Sequence, residues 1–134
     1  MTNREEGEKL IRKARMIFER DVQGAWRDQD HNLTVRRAQE TVELTLKGAL
    51  RILGVDYPKI HDVGLVFLEQ TREKAPHVPE KVLRRIEEIS SWLGEARTPS
   101  FYLERDYGEK DASKALEDAA FVLETVEGFL NPQS

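Results

Sequence analysis

His61 and Asp62 stand side by side after a Tyr57-Pro58 turn and form the sharpest polar pair in the chain. An imidazole changes charge near neutral pH, and the functional reading of the pair is a nucleotide or partner contact. Arg97, Tyr102, Arg105 and Tyr107 form a second group, mixing basic and aromatic side chains. Guanidinium groups hold phosphates and aromatic rings stack on bases, so this composition suits a nucleotide or an RNA strand. Glu104, Asp106 and Glu109 dilute its positive charge. Glu43 and Lys47 make a third group, spaced i, i+4 on a predicted helix. Each group also has a plain structural use. Asp62 complements the dipole of a helix that opens beside it. Glu43 and Lys47 suit a helix ion pair of about 0.3–0.5 kcal/mol. The aromatics can pack over one end of a bundle.

Several other chemistries are excluded by the residue inventory. The chain has no cysteine, which removes disulfides and zinc–thiolate sites. It contains no H-E-x-x-H or E-x-x-H pair, no glycine-rich phosphate loop and no Ser-His-Asp order. His31 and His77 sit in polar connections without metal-ligand spacing. The expectation is therefore no metal and no cofactor.

The elements that must carry these residues follow from hydrophobic periodicity. Helix one is predicted over Asn3 to Asp28, with Leu10, Ile11, Ala14, Ile17, Phe18, Val22, Ala25 and Trp26 as its stripe. Asp30 or Asn32 is placed to cap helix two, which spans Leu33 to Leu53 and stops at Gly54. Its stripe of Val35, Ala38, Val42, Leu46, Ala49 and Leu50, widened by Leu44 and Ile52, calls for burial on more than one side. Helix three is predicted over Lys59 to Lys74, with His61 and Asp62 in its first turn. Helix four has Pro79 in its first turn and ends near Gly94. The aperiodic stretch from Glu95 to Lys110 reads as a long loop, and helix five follows from Asp111 to Leu130. The fold class is all-α: a five-helix up-and-down bundle with a four-helix core, one domain over residues 1–134.

Net charge is −4 with an isoelectric point near 5.5, so no global field draws nucleic acid to the chain. No apolar run approaches the roughly 20 residues that span a bilayer. The acidic start, Arg4-Glu5-Glu6, is unlike a secretion signal. A cytoplasmic location and no membrane partner are expected.

Helix two carries Ala38, Glu43, Leu46 and Lys47 ahead of Leu53-Gly54; Lys59-Ile60-His61-Asp62-Val63 follows, and Ala96-Arg97 precedes an alanine-rich final helix. In that order and spacing the chain resembles the HEPN family over roughly Lys13 to Leu130. Members of that family often read A-x-x-x-x-E-x-x-L-K, then L-G, then K-T-H-D-L, then A-R-Y-P. The resemblance implies a homodimeric, HEPN-like helical bundle of bacteria and archaea, often encoded beside a minimal nucleotidyltransferase in a toxin–antitoxin-like pair. Many members are ribonucleases in which an Arg, and a His about four to six residues later, meet in the dimer cleft. There the His serves as general acid or base and the Arg stabilises charge on the phosphate.

This chain departs from that motif. Arg97 is followed by Thr98, Pro99, Ser100, Phe101 and Tyr102, and no His lies downstream. A phenol, with a pKa near 10, is a poor base at neutral pH. The resemblance thus implies a nucleotide- or nucleic-acid-binding, toxin-type homodimer partnering a minimal nucleotidyltransferase. Arg97 would face phosphate, Tyr102 would neighbour it in the cleft, and His61, Asp62 and Lys47 would be further nucleotide or partner contacts. Two other readings stay open: a metal-independent endoribonuclease using the Arg97 cleft with Tyr102 or His61, and a non-catalytic helical scaffold.

Overall fold

A helix with a stripe as wide as that between Val35 and Leu50 needs neighbours on several sides, and the computed structural model, which describes residues 2–130, supplies them. The first rod consists of α1 (Asn3–Met16), a π-helical stretch (Ile17–Val22) and α2 (Gln23–Arg27). It is followed by α3 (His31–Ile52), α4 (Gly64–Lys74), α5 (Glu80–Phe101) and α6 (Glu109–Leu130). Among the described residues there is no strand. The all-α architecture of five helical rods agrees with the periodicity. The central helix, α3, packs against α1, α5 and α6, while the short α4 leans mainly on α5.

Val35, Ala38, Val42, Leu46, Ala49 and Leu50 are all buried, and they meet Ile11, Ala14, Phe18, Leu83, Ile86, Leu93, Ala119, Val122 and Val126 from the surrounding rods. Each fully buried large side chain contributes roughly 1.5–3 kcal/mol, which is why this stripe organises the bundle. The π-helical stretch keeps Phe18 and Val22, four residues apart on one face, buried in the core. Gly7 and Gly48 let α1 and α3 cross with backbones in contact. A Cβ on Gly48 would lie 2.7 Å from the Gly7 carbonyl oxygen.

Helix ends follow their capping chemistry. Thr2 and Glu5 form a reciprocal capping box on α1. Asp30, one of the two predicted caps, accepts a hydrogen bond from the Leu33 N–H at 3.1 Å. Gly54 ends α3 with φ of +79°, the left-handed conformation that glycine adopts without penalty.

Two boundaries differ from the sequence reading, and both move the site. Helix three begins at Gly64 rather than Lys59, so His61 and Asp62 lie in the connection before it. Asp62 there accepts hydrogen bonds from the Gly64 N–H at 3.0 Å and the Ser90 hydroxyl at 2.7 Å. These bonds tie the chain to α5 and start the helix one turn late. Helix four does not end near Gly94 but runs to Phe101, with Pro99 inside its last turn. There the missing N–H forfeits only the bond to the Glu95 carbonyl, while buried Ala96 and Ser100 keep the turn packed. The expected long loop from Glu95 to Lys110 shrinks accordingly to residues 102–108. Smaller shifts put the end of the first rod at Arg27 and the start of the last helix at Glu109.

Candidate functional site

The helical period sets Arg36, Gln39, Glu40, Glu43 and Lys47 along one side of α3. Because α3 and α5 run antiparallel, Arg97 near the end of α5 comes alongside this row. The connection before α4 brings His61 to the same place. Glu43 is the hub, with its side chain only 14% exposed. Its Oε2 accepts from Lys47 Nζ at 2.8 Å, and its Oε1 accepts from Gln39 Nε2 at 2.9 Å. His61 Nδ1 lies 3.1 Å from Oε1, and Arg97 Nε lies 4.0 Å from that same oxygen. Burial alone would raise the pKa of this carboxyl. The hydrogen bonds from Lys47 and Gln39, together with the charges of Lys47 and His61, outweigh burial and hold it below the ordinary carboxylate value.

Arg36 stands beside Arg97. Its Nη1 donates to the Arg97 carbonyl oxygen at 3.1 Å, and its guanidinium carbon sits 4.6 Å from the centre of the Phe101 ring. Burial lowers its pKa, and the positive charge of Arg97 lowers it further. The nearest carboxylate to Arg36 is that of Glu40 at 3.9 Å, which Arg37 holds more closely at 2.6 Å. Among the described residues, the buried Nε atoms of both Arg36 and Arg97 have no hydrogen-bond partner. Two full cations, Lys47 and Arg97, therefore share Glu43 as their close and nearly buried carboxylate, while Arg36 beside them has only the outlying Glu40. Such an arrangement favours an incoming anion, because like charges in a poorly hydrated place repel until one arrives.

Of the residues singled out from sequence, Arg97, His61 and Lys47 converge on this hub. Asp62, Tyr102, Arg105 and Tyr107 do not. Asp62 points to Ser90 and Gly64, where it organises the start of α4. Tyr102 is 67% exposed and packs edge-on against Phe101 at 4.8 Å, without a hydrogen bond to Arg97. Arg105 and Tyr107 also part from Arg97. Arg105 stacks over the buried Tyr107 ring at 4.8 Å, and burial raises the pKa of that phenol. Both line an 820 Å³ cleft between α5 and α6 that contains Trp92 and excludes Arg97.

Sequence reasoning missed Arg36 and Gln39, and it singled out Asn32 only as a candidate helix cap, a role that Asp30 takes. Arg36 and Gln39 sit two turns and one turn before Glu43 on its own helix face, a signal that spacing does carry. Nothing in the spacing signals the contacts that Asn32 makes. Its Nδ2 donates to the Ser100 and Arg105 carbonyls at 3.3 and 2.8 Å, and its Oδ1 accepts from the Tyr107 N–H at 2.9 Å. It thereby pins the 102–108 connection across the bundle end beside Phe101.

A sequence model of the HEPN domain matches residues 7–129, nearly the whole chain. No curated protein and no solved structure shows significant similarity to it. No described helix is long and apolar enough to cross a membrane.

Proposed function

The chain belongs to the HEPN family, and from that premise we propose that it is a cytoplasmic, single-domain prokaryotic protein that binds a nucleotide or RNA phosphate beside Arg97. In this reading it works as a homodimer and as the toxin-type partner of a minimal nucleotidyltransferase. The observation that carries it is the adjacency of Arg36 and Arg97, two part-buried arginines short of carboxylate, the Arg36 guanidinium donating to the Arg97 carbonyl oxygen at 3.1 Å. A phosphate oxygen entering there relieves their repulsion and occupies unsatisfied N–H donors. Lys47 and His61 flank the anion, each held by Glu43. Support for the dimer comes from Phe101, Tyr102 and Leu103, three consecutive large side chains that are 55, 67 and 70% exposed next to Arg36. A second subunit covering them would close a cleft over the arginines. Co-purification with the product of the neighbouring gene, nucleotide titration and mass in solution test the proposal. No complex, no nucleotide affinity and a single-chain mass at micromolar concentration would remove it.

A second reading rests on the His61–Glu43 pair. If Nδ1–H donates to the carboxylate, the other ring nitrogen is left with its lone pair outward, the tautomer of a general base. With Arg97 4.0 Å from the same carboxylate, the polar groups of metal-independent RNA cleavage are assembled from a different histidine than the family's usual one. Incubation with tRNA or mRNA decides this. Cleavage lost in both Arg97→Ala and His61→Ala supports it, and intact RNA with the native protein ends it.

A further inference from the structure

The site around Glu43 opens onto a second, larger basic surface through Lys47. That lysine lies 2.8 Å from Glu43 on one side and 5.4 Å from the centre of the Tyr57 ring on the other. Beyond Tyr57 runs a groove of about 1020 Å³ along α1, lined by Lys9, Arg12, Lys13 and Met16 of α1 with Arg51 and Tyr57. Lys9, Arg12, Lys13 and Met16 recur at i, i+3, i+4 and i+7, so one face of the helix presents them all.

The ion pairs single out this face. Arg4, Arg15 and Arg20 on the other sides of the same rod each hold a carboxylate, on Glu8, Glu19 and Asp21 respectively. Lys9, Arg12 and Lys13 have none within 4.0 Å among the described residues. Glu6 is the one acid lining the groove, and it is engaged by Arg51 at 2.8 Å. In a chain of net charge −4, three uncompensated cations beside an aromatic ring and an exposed Met16 form a local reversal of sign.

We propose that this groove is a track for single-stranded RNA, its phosphates held by Lys9, Arg12 and Lys13, leading past Tyr57 and Lys47 to the Arg97 site. The proposal rests on the nucleotide-binding reading above and extends it from one phosphate to a strand. Charge complementarity sets the affinity and makes it dependent on salt, while the aromatic and thioether surfaces accept unstacked bases. A short ligand reaches only the arginines; a long one also reaches α1.

Binding of a dinucleotide and of an oligouridylate of about 16 nucleotides, followed by fluorescence anisotropy over a salt series, tests it. The native protein is expected to hold the long strand more tightly. In the Lys9→Ala/Arg12→Ala/Lys13→Ala variant, long-strand affinity falls by about tenfold or more. Its slope of log K against log salt flattens by about 2, near 0.7 per lost phosphate contact. Dinucleotide affinity and helical circular dichroism stay unchanged, and Lys13→Ala alone flattens the slope by about 0.7. If the triple variant holds the long strand as the native protein does, while both still bind the dinucleotide, the track is wrong and the Arg97 reading survives. Equal weakening of both ligands also overturns it, because a diffuse field would then be acting. A native protein that binds neither ligand removes the Arg97 reading and the track together. Binding to phosphatidylserine vesicles but not to RNA, lost in the triple variant, would assign the face to a lipid surface instead.

Discussion

His61 Nδ1 lies 3.1 Å from Glu43 Oε1, although one residue belongs to a connection and the other to the middle of the central helix. That contact joins the two halves of the site: the row of cations on α3 and the segment that leads into α4. Everything near it depends on the charge of one carboxylate.

Glu43→Gln removes that charge while keeping the shape. Folding stability is expected to fall by about 1–3 kcal/mol, since Lys47 and Arg97 lose their close counterion in a part-buried place. The pH dependence has a definite sign. The folded pKa of Glu43 is depressed, so its stabilising contribution is present above the unfolded value, near 4.3, and is lost as pH falls through the folded value. Urea midpoints of the two proteins should differ at pH 7 and converge in acid, as pH falls below the unfolded value and through the depressed folded one. Equal midpoints at pH 7 would make Glu43 dispensable.

Asn32→Ala removes both donors and the acceptor that fasten the 102–108 connection. A loss of about 1–2 kcal/mol is expected, together with faster hydrogen exchange at the Tyr107 amide, which bonds Asn32 Oδ1. Unchanged exchange at Tyr107 would refute the pinning role.

Gly48→Ala and Gly24→Ala should have opposite effects. A methyl on Gly48 meets backbone of α1 at 2.7 Å, which neither helix relieves without separating, so a loss of about 2 kcal/mol or more is expected. A methyl on Gly24 meets only an arginine tip at 3.8 Å, and the helical backbone gains about 0.5–1 kcal/mol from losing glycine. Thermal melts of the two single variants check the contrast. A gain from Gly48→Ala would disprove the close crossing.

Leu103 adopts φ of +56° while 70% of it is exposed, a conformation that costs a non-glycine residue about 1 kcal/mol or more. Leu103→Gly should therefore raise subunit stability by up to about 0.5–1 kcal/mol. If the Phe101–Leu103 tip is the dimer contact, the same change weakens self-association, read as mass against concentration. Gln29, with φ of +60°, is the control: Gln29→Gly should stabilise without touching association.

Periodicity placed all five rods because α3 and α6 bury continuous stripes, and no neighbouring segment alters a 3.6-residue repeat. It misplaced the boundaries at Gly64 and Phe101 because these depend on contacts between elements. Asp62 finds Ser90 across the bundle, and Pro99 is tolerated because Ala96 and Ser100 are held by packing. Arg97, His61 and Lys47 were legible as chemistry, since their types and the surrounding motif stand in the chain itself. Their common partner was not.

By itself the amino-acid order determined the helices, the family and which side chains are able to hold a phosphate. Those properties are local, set by repeat, capping residues and functional groups. Only the tertiary structure decided that Arg36 joins Arg97, that Asp62 and Tyr102 stand apart from them, and that Lys9, Arg12 and Lys13 on one face of α1 are left without a carboxylate partner. The reason is physical. Antiparallel packing of α3 on α5 puts positions 36 and 97 side by side, and a charge is compensated or not by whatever the fold brings within a few ångströms.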